Sequence, residues 1–493
     1  MSKDAGQGRR RPTRGNRRPH HDRRPRPSRS RASTSPRAAA FDVLLAVEEA
    51  DSYANLLLPP LLRERRIFGR DAGFATELTY GTLRMQGRYE AIIEAASDRR
   101  LADLDRPVQV ALRLGTHQLL SMRVPPHAAV SETVALARDR ISAGPAQLVN
   151  AVLRRVSEKT MADWLDELAP GGTDRELSVR HSHPEWILRA FRQAVKAAEP
   201  ENVEAALVEL LEANNVPAQV HLVIRPGLAG EVALDPLETT PAAYARTARY
   251  LDGGDPGQSP ALRAGRIGVQ DEGSQLVTLA AAAAPIEGSD RRWLDLCAGP
   301  GGKAALLAGL LADHGGGEFV ANELHPHRTR LVEQNLKAVP ESVAVDLRTG
   351  DGRELGELEP GSYDRVLLDA PCTGLGALRR RPESRWRRST ADLPELTALQ
   401  RDLLGSALRA VRPGGVVGYI TCSPHVAETA LVVSDAIRDA AKEGIDVETL
   451  DAPEFLDHVA KKPLEGLSGP YAQLWPHVHG TDAMFLALIR RTA

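Results

Sequence analysis

The stretch "LDLCAGPGGK", Leu294 to Lys303, begins as an apolar run, crosses a glycine-rich turn and ends where a helix can start. Glycines at 299, 301 and 302 let the backbone turn sharply and come close to a ligand. A phosphate loop would read G-x-x-x-x-G-K-[ST] and a dinucleotide loop G-x-G-x-x-G, and this turn matches neither. Around it, from Arg266 to Ala493, strand-like runs alternate with helix-length segments: "RWLDLCA", "GEFVANE", "SVAVDLR", "DRVLLDA" and "GVVGYITC". That alternation predicts an α/β, Rossmann-like domain with a parallel sheet and helices on both faces. Ligands of such sheets bind beyond the carboxyl ends of the strands, near the switch in strand order.

Unusual polar residues fall at those ends. The second run stops at "VANE", placing Glu323 where its carboxylate can accept from two ribose hydroxyls, with Arg328 one turn into the next helix. The third leads into "TGDGREL", where Asp351 can face an adenine amino group. Either acid alone is a helix cap or a solvated strand end. Glycine turn, acid and acid in register predict an S-adenosylmethionine site built from Cys297, Ala298, Gly299, Pro300, Gly301, Gly302, Lys303, Glu323, Arg328 and Asp351.

The 493 residues hold three cysteines. Two of them, Cys372 in "VLLDAPCTG" and Cys422 in "VGYITCSPHVAE", stand just past neighbouring strand-like runs, in proline-bearing turns at the ligand rim. Buried packing is the ordinary fate of a free thiol, and Cys297, inside the glycine turn, reads as pocket lining. Packing does not account for the other two. A pyrimidine ring yields carbon 5 as a nucleophile only after a thiolate adds at carbon 6, and the thiol must later be expelled. The chemistry needs a deprotonated cysteine, although a free thiol titrates near ~8.5.

Three unpaired cysteines point to a reduced, cytoplasmic protein, and no apolar run approaches the ~18 residues of a membrane span. The length predicts about three domains. A formal charge of −2 conceals an asymmetry: residues 1–37 carry thirteen basic and two acidic side chains, the remainder fifty basic and sixty-three acidic. The Arg/Pro-rich tail, without apolar periodicity, is expected to be disordered, as a phosphate-binding arm rather than a merely solubilising one.

From residue 38 to 170 the pattern is helical, with a break at Pro59-Pro60 and turn or proline signals opening each later segment. Residues 171–265 read as a small α+β linking module, with "PAQVHLVIRPG" as its strand, and 266–493 as the Rossmann-like domain.

The phrases "FATELTYGTLR", "LRLGTHQLL" and "LVNAVLRR" resemble the NusB-like RNA-binding helical domain. The carboxyl half, through "VQDEGSQLV", "DLCAGPGGK", "GDGR", "LLDAPCTG" and "YITCS", resembles the RsmB/Sun-type RNA cytosine-5 methyltransferases. The resemblance implies a nucleophilic Cys422, a Cys372 that assists product release, an Asp369 that contacts the base beside the cofactor methyl, and 16S ribosomal RNA or a small-subunit precursor as partner. The glycine turn departs from the usual C-A-A-P-G-G by one small residue. The acidic phrase that follows T-C-S in the family survives only as "HVAET", so Glu428 is given no role.

After Cys372, "GALRRRPESRWRRS" offers Arg379, Arg380, Arg381, Arg385, Arg387 and Arg388 around Trp386. Such a run is commonly a solvated loop; beside a catalytic turn it predicts phosphate contacts and a base-stacking plane. His477 and His479 lack a third ligand, so no metal is expected, and a monomer is. The rivals are a transfer RNA cytosine methyltransferase and a non-catalytic RNA-binding antitermination or ribosome-assembly factor.

Overall fold

A computed structural model describes residues 35–50, 52–228 and 234–493. The basic stretch expected to form a disordered arm lies almost wholly outside the described residues.

Helices Pro36–Glu49, Ala54–Glu64, Gly69–Arg84, Gln86–Ser97, Arg106–Leu120, Pro126–Arg140 and Ala143–Val156 form the first bundle. Apolar residues at three- and four-residue spacing give each a core-facing stripe, and Phe41, Leu78, Ile92, Leu112 and Leu153 meet in one core. The break expected at Pro59-Pro60 is absent: both prolines lie inside Ala54–Glu64. An interior proline leaves the carbonyl four residues earlier without its donor. Here both prolines lie on the exposed face, while Leu58 and Leu62 hold the opposite face in the core.

After Met161–Leu168, whose Trp164 joins that core, three more helices follow, Asp174–His181, Glu185–Ala197 and Val203–Ala213. The second buries Ile187, Leu188, Ala190, Phe191, Ala194 and Val195, and this stripe shares a core with Leu375 and Leu378 from the turn after Cys372. Next comes a small antiparallel sheet of β1 (His221–Ile224), β2 (Glu238–Pro241), β3 (Ala248–Gly253) and β4 (Ile267–Val269), in the order β2-β3-β1-β4. The boundary placed at Gly265 therefore falls one strand early, since β4 pairs with β1. Three residues are too few for alternation to be seen in the sequence.

The large sheet contains β5 (Arg292–Asp295), β6 (Gly317–Glu323), β7 (Val343–Thr349), β8 (Tyr363–Asp369), β9 (Val411–Thr421), β10 (Val447–Leu450), β11 (Ala472–Gln473) and β12 (Phe485–Arg491). Its order is β10-β12-β9-β8-β5-β6-β7, with β11 beside β12. The five predicted strands, β5 to β9, run parallel. β12 returns antiparallel to β9, and β10 antiparallel to β12, so the sheet is mixed rather than purely parallel. Apolar cores cover both faces, one including Leu276, Leu307, Phe319 and Ile420, the other Leu294, Val320, Leu404 and Val417. Coverage on two sides is why β8 and β9 read as continuous apolar runs. The chain leaves β5 for β6 and β7 on one side and returns to β8 and β9 on the other. The crevice at this reversal is where a ligand fits.

Candidate active site

The glycine turn begins at the end of β5. Gly301, at φ +111°, caps helix Gly302–Asp313 in a conformation that disfavours side chains. A Cβ on Gly299 would stand 2.0 Å from Glu323 Oε2 and 3.0 Å from Arg328 Cζ. The turn is held from outside: Arg328 Nη2 donates to Gly299 O (2.6 Å) and Asn335 Nδ2 to Pro300 O (3.0 Å). Asn322, which the sequence reading passed over, donates through Nδ2 to Leu296 O and Gly350 O, both at 3.1 Å, and so ties the ends of three strands. Glu323, nearly buried at the end of β6, accepts from the His325 amide and lies 3.5 Å from Arg328. Asp351 is gripped by the backbone and guanidinium of its neighbour Arg353, which holds its carboxyl below the usual range. It would have to exchange that partner to face an adenine.

Asp295 was not singled out either. It is fully buried at the end of β5, and neither carboxylate oxygen has a well-formed hydrogen bond. Burial, then the nearby Asp369, push its carboxyl up to about 8 despite the pull of Lys303 and the Cys297 amide. The same burial, with Asp295 next, raises the Cys297 thiol well above its ordinary value, the state of a pocket-lining thiol rather than a nucleophile. A buried orphan carboxyl, the buried Glu323 and a glycine turn with no room for a Cβ fit a polar adenosyl ligand, with Cys297 to Lys303, Glu323 and Arg328 around it. Lys303 pairs with Asp369, which is expected beside the same cofactor: Nζ to Oδ2 is 2.8 Å. Burial opposes its charge, but Asp369 prevails and raises it.

Cys372 and Cys422 converge. β8 and β9 are adjacent and parallel, with Asp369 opposite Ile420. The Ala370 amide donates to Ile420 O and the Gly376 amide to Cys422 O, both at 2.9 Å, which folds one turn onto the other. The two Sγ atoms are 3.4 Å apart, both thiols free and partly buried. The hydrogen bond from Cys372 lowers Cys422 below its ordinary value, with help from Lys303 and Arg381 against burial and Asp369. The same bond and burial raise Cys372 well above its own. One sulfur is thus poised as thiolate and the other as proton donor.

The arginine run requires a correction. Arg385 is wholly buried, donating to Arg84 O (2.9 Å), Ser182 O (3.0 Å), Asn214 O (2.8 Å) and Asn215 Oδ1 (2.8 Å). Arg379 and Arg380 pair with Asp482, and Arg380 also with Asp271. Arg387 donates to Val47 O and Ser52 O, and Trp386 packs its ring against Gly87. These five side chains tie the segment to the helical bundle, the linking module and the methyltransferase domain itself, so they are not a free phosphate-binding surface. Desolvated guanidinium groups must find acceptors, and only the tertiary fold supplies them. Arg381 stays exposed, stacked at 5.0 Å on Tyr53, and Arg388 half-exposed, 4.0 Å from Asp392. Among the described residues no three His, Cys, Asp or Glu side chains group as metal ligands, and no helix is long and apolar enough to cross a membrane.

Residues 282–490 match the family model of 16S rRNA methyltransferase RsmB/F, and residues 34–158 that of the NusB family. A putative methyltransferase of Mycobacterium tuberculosis is 48% identical over 474 residues, 95% of this chain and 99% of that one. Ribosomal RNA small subunit methyltransferase B of Pseudomonas putida is 32% identical over 407 residues, 81% of this chain and 88% of its relative. The crystal structure of PH0851, 22% identical with a TM-score of 0.73, covers 93% of this chain and 98% of its own, and shares the fold. On that likeness across nearly its whole length, the chain belongs to the RsmB/F family of 16S ribosomal RNA methyltransferases, with a NusB-family domain ahead of the methyltransferase.

Proposed function

We propose that this protein methylates carbon 5 of a cytosine in small-subunit ribosomal RNA, through a transient bond between Cys422 and the base. The observation that carries the reading is the 3.4 Å approach of two free thiols just past the ends of adjacent parallel strands. Cys422, as thiolate, adds to carbon 6 and shifts electron density to carbon 5. S-adenosylmethionine, when bound against the glycine turn, supplies an electrophilic methyl to that carbon. A base then takes the carbon 5 proton, the released electron pair re-forms the carbon 5–carbon 6 double bond and expels Cys422 as thiolate, and Cys372, within hydrogen-bond reach of the leaving sulfur, assists its release. Asp369, fixed by Lys303, contacts the pyrimidine edge. The substrate is the RNA or its assembling precursor, the enzyme acts in the cytoplasm as a monomer, and Arg381 and Arg388 are the members of the basic run placed to touch phosphate.

Cys422→Ala should abolish methyl transfer while cofactor binding persists. Cys372→Ala should accumulate an enzyme–RNA adduct, visible as a slow band on a denaturing gel. Full turnover by Cys422→Ala refutes the reading, and bisulfite sequencing of ribosomal and transfer RNA from a deletion strain identifies the RNA.

A further inference from the structure

Glu428 lies six residues past Cys422 and has no exposed surface. Its carboxylate reaches the residue that follows each cysteine. Oε1 accepts from the Thr373 amide at 2.7 Å and from Gln400 Nε2 at 3.1 Å. Oε2 accepts from the Thr373 hydroxyl and, at 2.6 Å, from the Ser423 hydroxyl. Those two hydroxyls are themselves 3.1 Å apart. The Glu428 carbonyl accepts from Tyr419 Oη on β9 at 2.8 Å, so the backbone carrying the carboxylate is anchored as well. Among the described residues no Lys or Arg forms an ion pair with it. Four neutral donors converging on one buried carboxylate are a costly arrangement to assemble and leave little room for movement.

We propose that Glu428 is a positioning residue for the two-thiol reaction: it clasps the turns after β8 and β9 so that the sulfurs meet, and its charge keeps their roles unequal. The inference rests on the reading of Cys422 as nucleophile. The charged and titratable groups facing the pair are Asp369, Lys303, Arg381, Tyr419, His425 and Glu428. They do not act evenly. Lys303 and Arg381 favour negative charge on Cys422, whereas Glu428 opposes it on Cys372. A neutral apolar clasp would hold the two turns together without sorting the thiols.

The test uses the full-length protein and iodoacetamide alkylation of each cysteine, followed by mass spectrometry across pH. In the wild type Cys422 should react at lower pH than Cys372. Glu428→Gln, which removes the charge at nearly constant volume, should speed alkylation of Cys372 at neutral pH about tenfold and reduce the preference for Cys422. Methyl transfer should fall about 100-fold with little change in the KM for RNA. Glu428→Asp, keeping the charge, should recover part of the thiol preference. A folded Glu428→Gln with wild-type alkylation profiles and turnover overturns the proposal. Should that variant not fold, Thr373→Val with Ser423→Ala, which opens the clasp but keeps the carboxylate, decides it: turnover must fall, and wild-type turnover overturns the proposal. An active Cys422→Ala would instead sink the underlying mechanism, whatever Glu428→Gln does.

Discussion

Asp295 shows how a single side chain can store a dependence on pH. Its carboxyl is raised to about 8 in the folded chain, against about 3.9 when unfolded. The folded state therefore binds the extra proton between those values. Its contribution is complete below the unfolded value and is lost as pH climbs through about 8, at no more than ~1.4 kcal/mol per pH unit. The cofactor-free protein should thus unfold at progressively lower temperature over this window, and Asp295→Asn should flatten the trend in a calorimetric series. Cys422 runs the other way. Its lowered value depends first on the Cys372 hydrogen bond, so Cys372→Ala should move the alkylation midpoint of Cys422 to higher pH. At Gly299, an added Cβ would collide with Glu323 and Arg328. Both neighbours are ends of flexible side chains that can swing aside, and the family's usual C-A-A-P-G-G phrase carries alanine here, so Gly299→Ala should bind S-adenosylmethionine within a few-fold of the wild type, measurable by calorimetric titration.

Between β8 and the helix Leu393–Ala410, the segment after Cys372 works as a connector. Its polar side chains behave like helix-cap donors turned inward, seeking carbonyls rather than water. Arg385 illustrates the cost and the return: burial, and the nearby Arg84, lower its guanidinium to about 9, yet its four hydrogen bonds tie together three separate stretches of chain. Arg385→Ala leaves buried acceptors without donors, and should cost about 3 kcal/mol of stability, read as a lower urea midpoint. Glu383 adds a further tie, accepting from the Ala54 amide at 3.1 Å.

Across the molecule, the NusB-family domain reaches toward the methyltransferase crevice through Tyr53. Its ring carries Arg381 at 5.0 Å and Arg387 at 4.8 Å, and Arg381 lies within electrostatic reach of Cys422. Losing two such contacts removes about 1–2 kcal/mol. Tyr53→Ala should lower methylation of RNA while leaving S-adenosylmethionine affinity at the wild-type value. Equal loss of both would mean that Tyr53 only supports the fold.

The order of residues along the chain sufficed for the helical front end, the five parallel strands, the glycine turn and the paired thiols. Each of these rests on local requirements: periodic burial, freedom of φ, and cysteines placed where adjacent strands stop. Three-dimensional packing alone decided the rest. It joined β4 to a sheet across the presumed boundary, paired Lys303 with Asp369, and turned most of the arginine run inward. It also gave Glu428 its place between the two turns that follow the thiols. A charge declares its sign in the sequence, but its partner lies tens or hundreds of residues away, and only the fold sets the distance between them.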